Sequence, residues 1–370
     1  MKLLFTFFNP SGGMETLNRI RCRALIKQGI ECHLLYTLDG DGKKNIKGIP
    51  TFIFSDETRI RALIERQNYD AIIVCTDIQL LYQIRMMGYE GPMIFEIQGM
   101  GTYENARAIL SDFSGRILSY ADALLYPETS HLKKLLTEMF PAMMHFCFDD
   151  PLDTESFGYS SYPPKPFPII GWIGRIERNK NWRDFLNIGA ALKLHYPDLY
   201  MWMFDDAMLF EPDELADFDH MVCQLNLSDR LIRQSNVPHE MMADYLSLIG
   251  DSGGFLCSTS ITEGFGYAVA EAMICRCPVV TTDSDGVRAF LYPGKTGLLY
   301  QRGNIDQAVQ AGISIMENKS LRSKLILRAE KLIKKRFSTV MYVNQFKKML
   351  INLKDRHGQK RANSSVKLNS

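Results

Sequence analysis

The chain has 370 residues, 46% of them hydrophobic, and carries a formal net charge of +1. That length exceeds one ordinary core and predicts two domains, with apolar material enough for both. The near-neutral balance, with no basic excess in residues 1–150, speaks against nucleic acid as a partner.

The eight cysteines are scattered, and Cys275 and Cys277, two apart, match no zinc spacing. They read as buried, reduced thiols suited to a reducing compartment. The opening run MKLLFTFF reaches NPSGG too soon for a signal peptide, and no apolar run nears the ~20 residues of a membrane span. A cytoplasmic protein is the expectation, with the inner face of the membrane as the alternative location.

In chain order, short apolar runs rich in β-branched and aromatic residues predict strands at 2–8, 31–36, 51–54, 71–76, 92–97, 123–127 and 143–148. Amphipathic stretches between them, such as 14–28 and 128–139, predict helices. The 14–28 helix sets Arg19, Arg21, Arg23 and Lys27 around Leu17, Ile20, Ala24 and Leu25. This reads as a core face with a solvated basic rim; the alternative is a face for weak peripheral membrane association. Residues 151–167, within a proline-rich run, read as a linker. The rhythm then restarts, with strands expected at 168–174, 199–205, 230–235, 254–258, 277–282 and 296–300. Near-continuous apolar strands alternating with helices mean parallel sheets covered on both faces. The fold class is therefore α/β, with two Rossmann-like, doubly wound domains at 1–150 and 168–340. A helix over 341–354 is expected to pack back toward the first domain, and 355–370 to form a disordered polar tail.

Ligands of open α/β sheets bind beyond the carboxyl ends of the strands. After the first strand comes NPSGGMET, where Gly12 and Gly13 let the backbone approach a ligand. This is not the G-x-G-x-x-G of a dinucleotide site, so hydride chemistry gains little support. In the second domain, GWIGRIERNKN places Arg175 and Lys180 at the mouth of a strand and before a helix, a setting for a diphosphate. Further on, TSITEGFGYAVAEAMI puts Glu263 in a loop facing the cleft between the domains, where it can accept hydrogen bonds from hydroxyls. Gly264 and Gly266 offer bare backbone N–H groups to phosphate or sugar oxygens. Glu271 shares a helix face with Tyr267 and suits a ribose diol. The plain alternative makes Glu263 a helix cap and Glu271 an exposed residue.

Four stretches in this order resemble the retaining glycosyltransferases of the GT-B fold, family 4, also called glycosyl transferases group 1. TEGFGYAVAEAM, with CPVVTTD and GKTGLLY, is similar to the family's E-x7-E region, and GRIERNKN to its G-R-x-x-x-x-K segment. PSGGMET resembles its glycine-rich N-terminal loop, and RQSNVPHEMMADYL the segment before the loop that frames the nucleotide base. The resemblance spans about residues 1 to 350. It implies an acceptor-binding first domain and a second domain binding a nucleotide-sugar, most readily a UDP-sugar carrying a hexose or N-acetylhexosamine. It implies that Arg175 and Lys180 neutralise the diphosphate and that Glu263 holds donor-sugar hydroxyls at the anomeric centre. The backbone of Gly264, Phe265, Gly266 and Tyr267 would meet sugar and phosphate oxygens. Val237 would frame the base, Glu271 would bind the ribose, and Gly12 and Gly13 would meet the diphosphate across the cleft. Transfer would be retaining and need no metal or other cofactor, Arg and Lys standing in for a cation. Asp283-Ser284-Asp285 has the spelling of a metal motif but reads as a turn.

Two departures stand out. Gln98 occupies the position at which the family usually carries a histidine; it can exchange hydrogen bonds with a sugar hydroxyl but cannot take up a proton at neutral pH. Ala289 stands where an acidic residue is common. A catalytically silent sugar-binding or accessory module is therefore the alternative to an enzyme. A nucleotide-sugar epimerase is a further alternative, though no acid–base set for it stands out. The acceptor, whether glycan, lipid-linked glycan, protein or small molecule, is expected to meet loops near 9–16, 40–48 and 98–107.

Overall fold

A computed structural model describes the backbone of residues 1–368 and the side chains of residues 1–356. The chain forms two compact units, Met1–Pro151 completed by the chain from Thr339 onward, and Leu152–Ser338. Among the described residues thirteen strands form two sheets, and every strand pairing is parallel.

In the first unit, β1 (Lys2–Phe7), β2 (Glu31–Tyr36), β3 (Thr51–Ile53), β4 (Ala71–Cys75), β5 (Met93–Glu96), β6 (Ala123–Tyr126) and β7 (Met144–Cys147) lie in the order β3-β2-β1-β4-β5-β6-β7. The apolar runs of the inner strands are buried on both faces, while the edge strands β3 and β7 are half-buried: Leu4, Val74, Phe95 and Leu124 enter one core, Leu3, Phe5, Ile73 and Ile94 the other. Alternating inward faces are what a parallel sheet with helices on both sides demands.

The helix Thr339–Leu368 belongs to this first unit. Val343, Phe346, Leu350 and Leu353, at three- and four-residue spacing, enter the core against Phe5, with Tyr342 stacked on Phe346. Each such buried side chain contributes about 1.5–3 kcal/mol. The helix carries past residue 355 as far as Leu368, which corrects the expected disordered tail for 355–368. Gln359, Lys360, Arg361 and Ala362 are good helix formers that extend an already nucleated helix. Residues 369 and 370 lie outside the described residues.

The helix Gly12–Ile26 corrects a second expectation. Arg19 and Arg21 are not a solvated or membrane-facing rim but are buried, Arg19 on Glu15 and Arg21 on Glu96. Carboxylate partners make burial of the guanidinium groups possible, and one of those partners lies 75 residues away.

In the second unit, β8 (Ile169–Ile173), β9 (Tyr200–Asp205), β10 (Leu231–Ser235), β11 (Phe255–Ser258), β12 (Val279–Thr282) and β13 (Leu298–Tyr300) lie in the order β10-β9-β8-β11-β12-β13. Chain direction across the sheet reverses between β8 and β11, so their carboxyl ends mark the switch point. The stretch 152–167, expected as a linker, lies against this unit. Leu152 N donates to Phe337 O at 2.7 Å, Phe157 is 5% exposed and the Tyr159 hydroxyl meets Asp251. Its aromatic residues find partners that a free linker would lack.

Candidate functional site

Two loops leave the switch point of the second sheet. The first follows β8 and carries Gly174, Arg175 and a short turn, Arg178–Lys180; the second follows β11 and runs from Thr259 to Gly266. Asn179 staples them together. Its Oδ1 accepts from Thr262 N at 3.2 Å and Thr262 Oγ1 at 2.9 Å, while its Nδ2 donates to Thr262 O at 3.1 Å. The Thr259 hydroxyl donates to Lys180 O at 2.7 Å and accepts from the buried Trp172 Nε1 at 3.0 Å. These contacts bring Lys180 Nζ to 2.5 Å from Glu263 Oε1, with the two side chains 19% and 17% exposed. Arg175 is not part of that pair; its guanidinium bonds Glu177 at 3.2 Å and remains about half exposed. Burial pushes the Glu177 carboxyl upward, against the pull of Arg175 and Lys180.

Glu263 is not a helix cap: its backbone is anchored to the next loop. Glu263 N donates to Ser284 O at 2.9 Å, and Gly286 N donates to Glu263 O at 3.2 Å. A Cβ at residue 286 would lie 2.4 Å from Gly264 O and 2.6 Å from Glu263 O, so only glycine lets the turn approach. Asp283 and Asp285 both pair with Arg288, and the Arg288 hydrogen bond holds the Asp283 carboxyl below its usual range. Among the described residues no three His, Cys, Asp or Glu side chains converge as a metal would require. Gly266, at φ +87°, turns the chain into the helix Tyr267–Ile274. Among the described residues no protein acceptor meets the N–H of Phe265 or Gly266. The Phe265 ring is buried against Tyr267, Phe290 and Phe337, which fixes the backbone that carries those N–H groups.

Glu271, further along that helix, is 7% exposed rather than a surface residue. Its Oε1 lies 2.7 Å from His239 Nε2. Val237 is half-buried, between β10 and the helix His239–Asp251.

In the first unit, Gly12 (φ +59°) and Gly13 are exposed at the start of the helix Gly12–Ile26. Gln98, just beyond β5, donates its Nε2 to Glu96 Oε1 at 3.0 Å and to Asp150 Oδ1 at 2.9 Å. Both amide protons face carboxylates, which leaves the Gln98 oxygen to accept, not donate, toward any ligand. Glu96 also takes Arg21 at 2.6 Å and the Cys75 thiol at 3.1 Å.

Burial, reinforced by the charge of Glu96 and Asp149, pushes Asp150 up to about 8 against the pull of Gln98 and Arg21. Between about pH 4 and pH 8 the native state holds a proton that the unfolded chain has lost. Stability therefore falls as pH rises, by up to about 1.4 kcal/mol per unit. Asp150→Asn is expected to flatten the decline in Tm between about pH 5 and pH 8. An unchanged slope would assign the titration to another group.

Residues 160–332 match the model of the family described as glycosyl transferases group 1. The chain carries a glycosyl transferases group 1 domain. The chain is 38% identical over 90 residues to the poly(glycerol-phosphate) alpha-glucosyltransferase of Bacillus subtilis (strain 168), a match covering 24% of this chain and 13% of that protein. It is 31% identical over 156 residues to the phosphatidylinositol N-acetylglucosaminyltransferase GPI3 subunit of Saccharomyces cerevisiae (strain YJM789), covering 41% of this chain and 32% of that one. The chain thus spans a third or less of these curated relatives. Over 95% of its length it is similar to all of Anabaena HepE in complex with UDP-glucose, at a TM-score of 0.80 and 16% identity. The two doubly wound sheets are the GT-B architecture.

The two units contain anchoring residues that the sequence did not disclose. Asn179 could have been noticed as a turn former inside RNKN, and Gly286 as the glycine of an S-D-G turn. His239 and the Glu96–Asp150 pair left no local signal, because their partners are distant in sequence.

Proposed function

We propose that this protein is a glycosyltransferase that moves a hexose or N-acetylhexosamine from a nucleotide-sugar, preferentially a UDP-sugar, to a hydroxyl acceptor, with retention and without a divalent metal. The observation that carries the reading is the Lys180–Glu263 pair at the switch point of a group 1 domain, beside the N–H groups of Phe265 and Gly266. In the reaction the bond between the anomeric carbon and the diphosphate oxygen breaks, and negative charge grows on the departing nucleoside diphosphate. Lys180, Arg175 and the loop N–H groups stabilise that charge. Glu263 accepts from sugar hydroxyls and faces the anomeric carbon as it becomes electron-poor, and Glu271 receives the ribose. The acceptor hydroxyl adds to the same face that the leaving group vacates, forming the new bond to the anomeric carbon, and its proton passes to the departing diphosphate oxygen. The first unit takes the acceptor, and the eight free thiols suit work in the cytoplasm. Among the described residues no helix is long and apolar enough to cross a membrane.

A silent sugar-binding module is the second reading. What favours it is Gln98, whose two donors are already committed to Glu96 and Asp150. The deciding experiment follows release of nucleoside diphosphate from UDP-, GDP- and ADP-sugars, with candidate acceptors, in excess EDTA. Most of the turnover is expected to persist in EDTA with a UDP-sugar. Loss restored by magnesium or manganese would defeat metal independence, and no release from any donor would favour the silent module.

A further inference from the structure

We propose that His239 is a positioning residue: it holds the Glu271 carboxylate for the ribose of the nucleotide, and Phe157 holds the His239 ring. The inference rests on the reading of Glu271 as the ribose acceptor.

His239 opens the helix His239–Asp251, directly after Pro238. Its Nε2 stands 2.7 Å from Glu271 Oε1, with the two side chains 16% and 9% exposed. On the other side the imidazole packs on Phe157, with ring centroids 4.7 Å apart and 33° between planes. Phe157 comes from the proline-rich stretch after residue 151 and is itself 5% exposed. Three segments of the second unit thus form one chain of contacts: Phe157 from the stretch after Leu152 on His239, and His239 at the start of the helix His239–Asp251 on Glu271 of the helix Tyr267–Ile274.

The physical need is clear. A glutamate side chain samples several rotamers, and freezing them costs up to about 2 kcal/mol. If that cost fell on ligand binding, the hydrogen bonds to a diol would be worth correspondingly less. An imidazole N–H on Oε1 freezes the side chain beforehand and leaves Oε2, with the second lone pair of Oε1, to accept from vicinal hydroxyls. The same bond fixes the tautomer with the proton on Nε2 while the imidazole is neutral. His239 therefore acts on the ribose hydroxyls through Glu271 and should leave diphosphate binding alone.

The test uses the full chain, with UDP and 2′-deoxy-UDP as probes in calorimetric titrations. The wild type is expected to prefer UDP by about tenfold, the worth of one good hydrogen bond. His239→Phe keeps the ring packing on Phe157 but removes the N–H donor. It should weaken UDP by about five- to tenfold, leave 2′-deoxy-UDP nearly unchanged and bring the preference close to one. His239→Gln, which retains an N–H donor, should restore most of the preference, and Phe157→Leu should lower it in part. A purely structural role for His239 would weaken both nucleotides together. If Glu271→Gln abolishes the preference while His239→Phe keeps it, the positioning role is overturned and the ribose reading survives. If Glu271→Gln keeps the wild-type preference, the ribose reading fails and this inference falls with it. Should His239→Phe not fold, the Phe157→Leu and His239→Gln ratios decide: wild-type preference in Phe157→Leu combined with none in His239→Gln overturns the proposal.

Discussion

Replacing Glu263 with glutamine is expected to lower kcat by about 100- to 1,000-fold while changing UDP affinity by less than about threefold. The isosteric amide keeps the volume and the backbone anchors to Ser284 and Gly286, so the loop should hold its shape. What it removes is the negative charge 2.5 Å from Lys180 Nζ. That charge matters most when the anomeric carbon becomes cationic, a condition met only in the transition state, so the loss appears in kcat rather than in binding. Glu271→Gln should fail in the opposite way. It should cost UDP itself about 1.5–3 kcal/mol, the worth of a hydrogen bond to a charged group, with kcat on saturating donor largely kept. Steady-state kinetics combined with UDP titrations separate the two. Equal losses of UDP affinity with kcat preserved in Glu263→Gln would reduce both acids to binding or structural groups and favour the silent module.

The second large effect concerns stability. Arg21→Met is expected to destabilise the first unit by about 3–5 kcal/mol, because it leaves Glu96 charged and buried without its cation. Arg21 and Glu96 are both fully buried, 2.6 Å apart. The guanidinium also donates to Asn18 at 2.6 Å and lies 4.3 Å from the centre of the Phe5 ring. Burial acts to discharge Arg21, but the adjacent Glu96 carboxylate more than offsets it, so the guanidinium stays charged. Urea unfolding followed by near-ultraviolet dichroism would measure the loss. The double variant Arg21→Met, Glu96→Gln should recover part of it, since it removes the stranded charge. A single variant as stable as the wild type would overturn the expected cost of stranding Glu96.

The architecture was legible because parallel strands are buried on both faces. Runs such as AIIVC at β4 have to be apolar throughout, VVTT at β12 is β-branched throughout, and the intervening helices have to be amphipathic. The E-x7-E stretch was legible for a local reason: one loop and one helix carry both acids. What escaped was everything set by contacts distant along the chain. Glu271 meets a histidine 32 residues away, and Lys180 meets Glu263 across 83 residues, though the sequence suggested separate tasks for them. Arg19 and Arg21 looked like a solvated rim because periodicity reports where apolar residues lie, not where a carboxylate waits for a cation. The reach of the final helix beyond 355 was hidden for the converse reason: polar residues of good helix propensity resemble a tail until an anchored helix precedes them.

The first unit is built from two pieces of chain, with the whole of Leu152–Ser338 synthesised between them. When residue 151 leaves the ribosome, the sheet β1–β7 has its strands but lacks Tyr342, Val343, Phe346, Met349, Leu350 and Leu353, which cover one of its faces. The second unit, contiguous in sequence, can close its core first. During that interval the uncovered face, with Leu3, Phe5, Ile73 and Ile94 behind it, is a surface that aggregation or a chaperone can recognise. The order of synthesis thus sets the order of completion: the N-terminal half is made first and finished last.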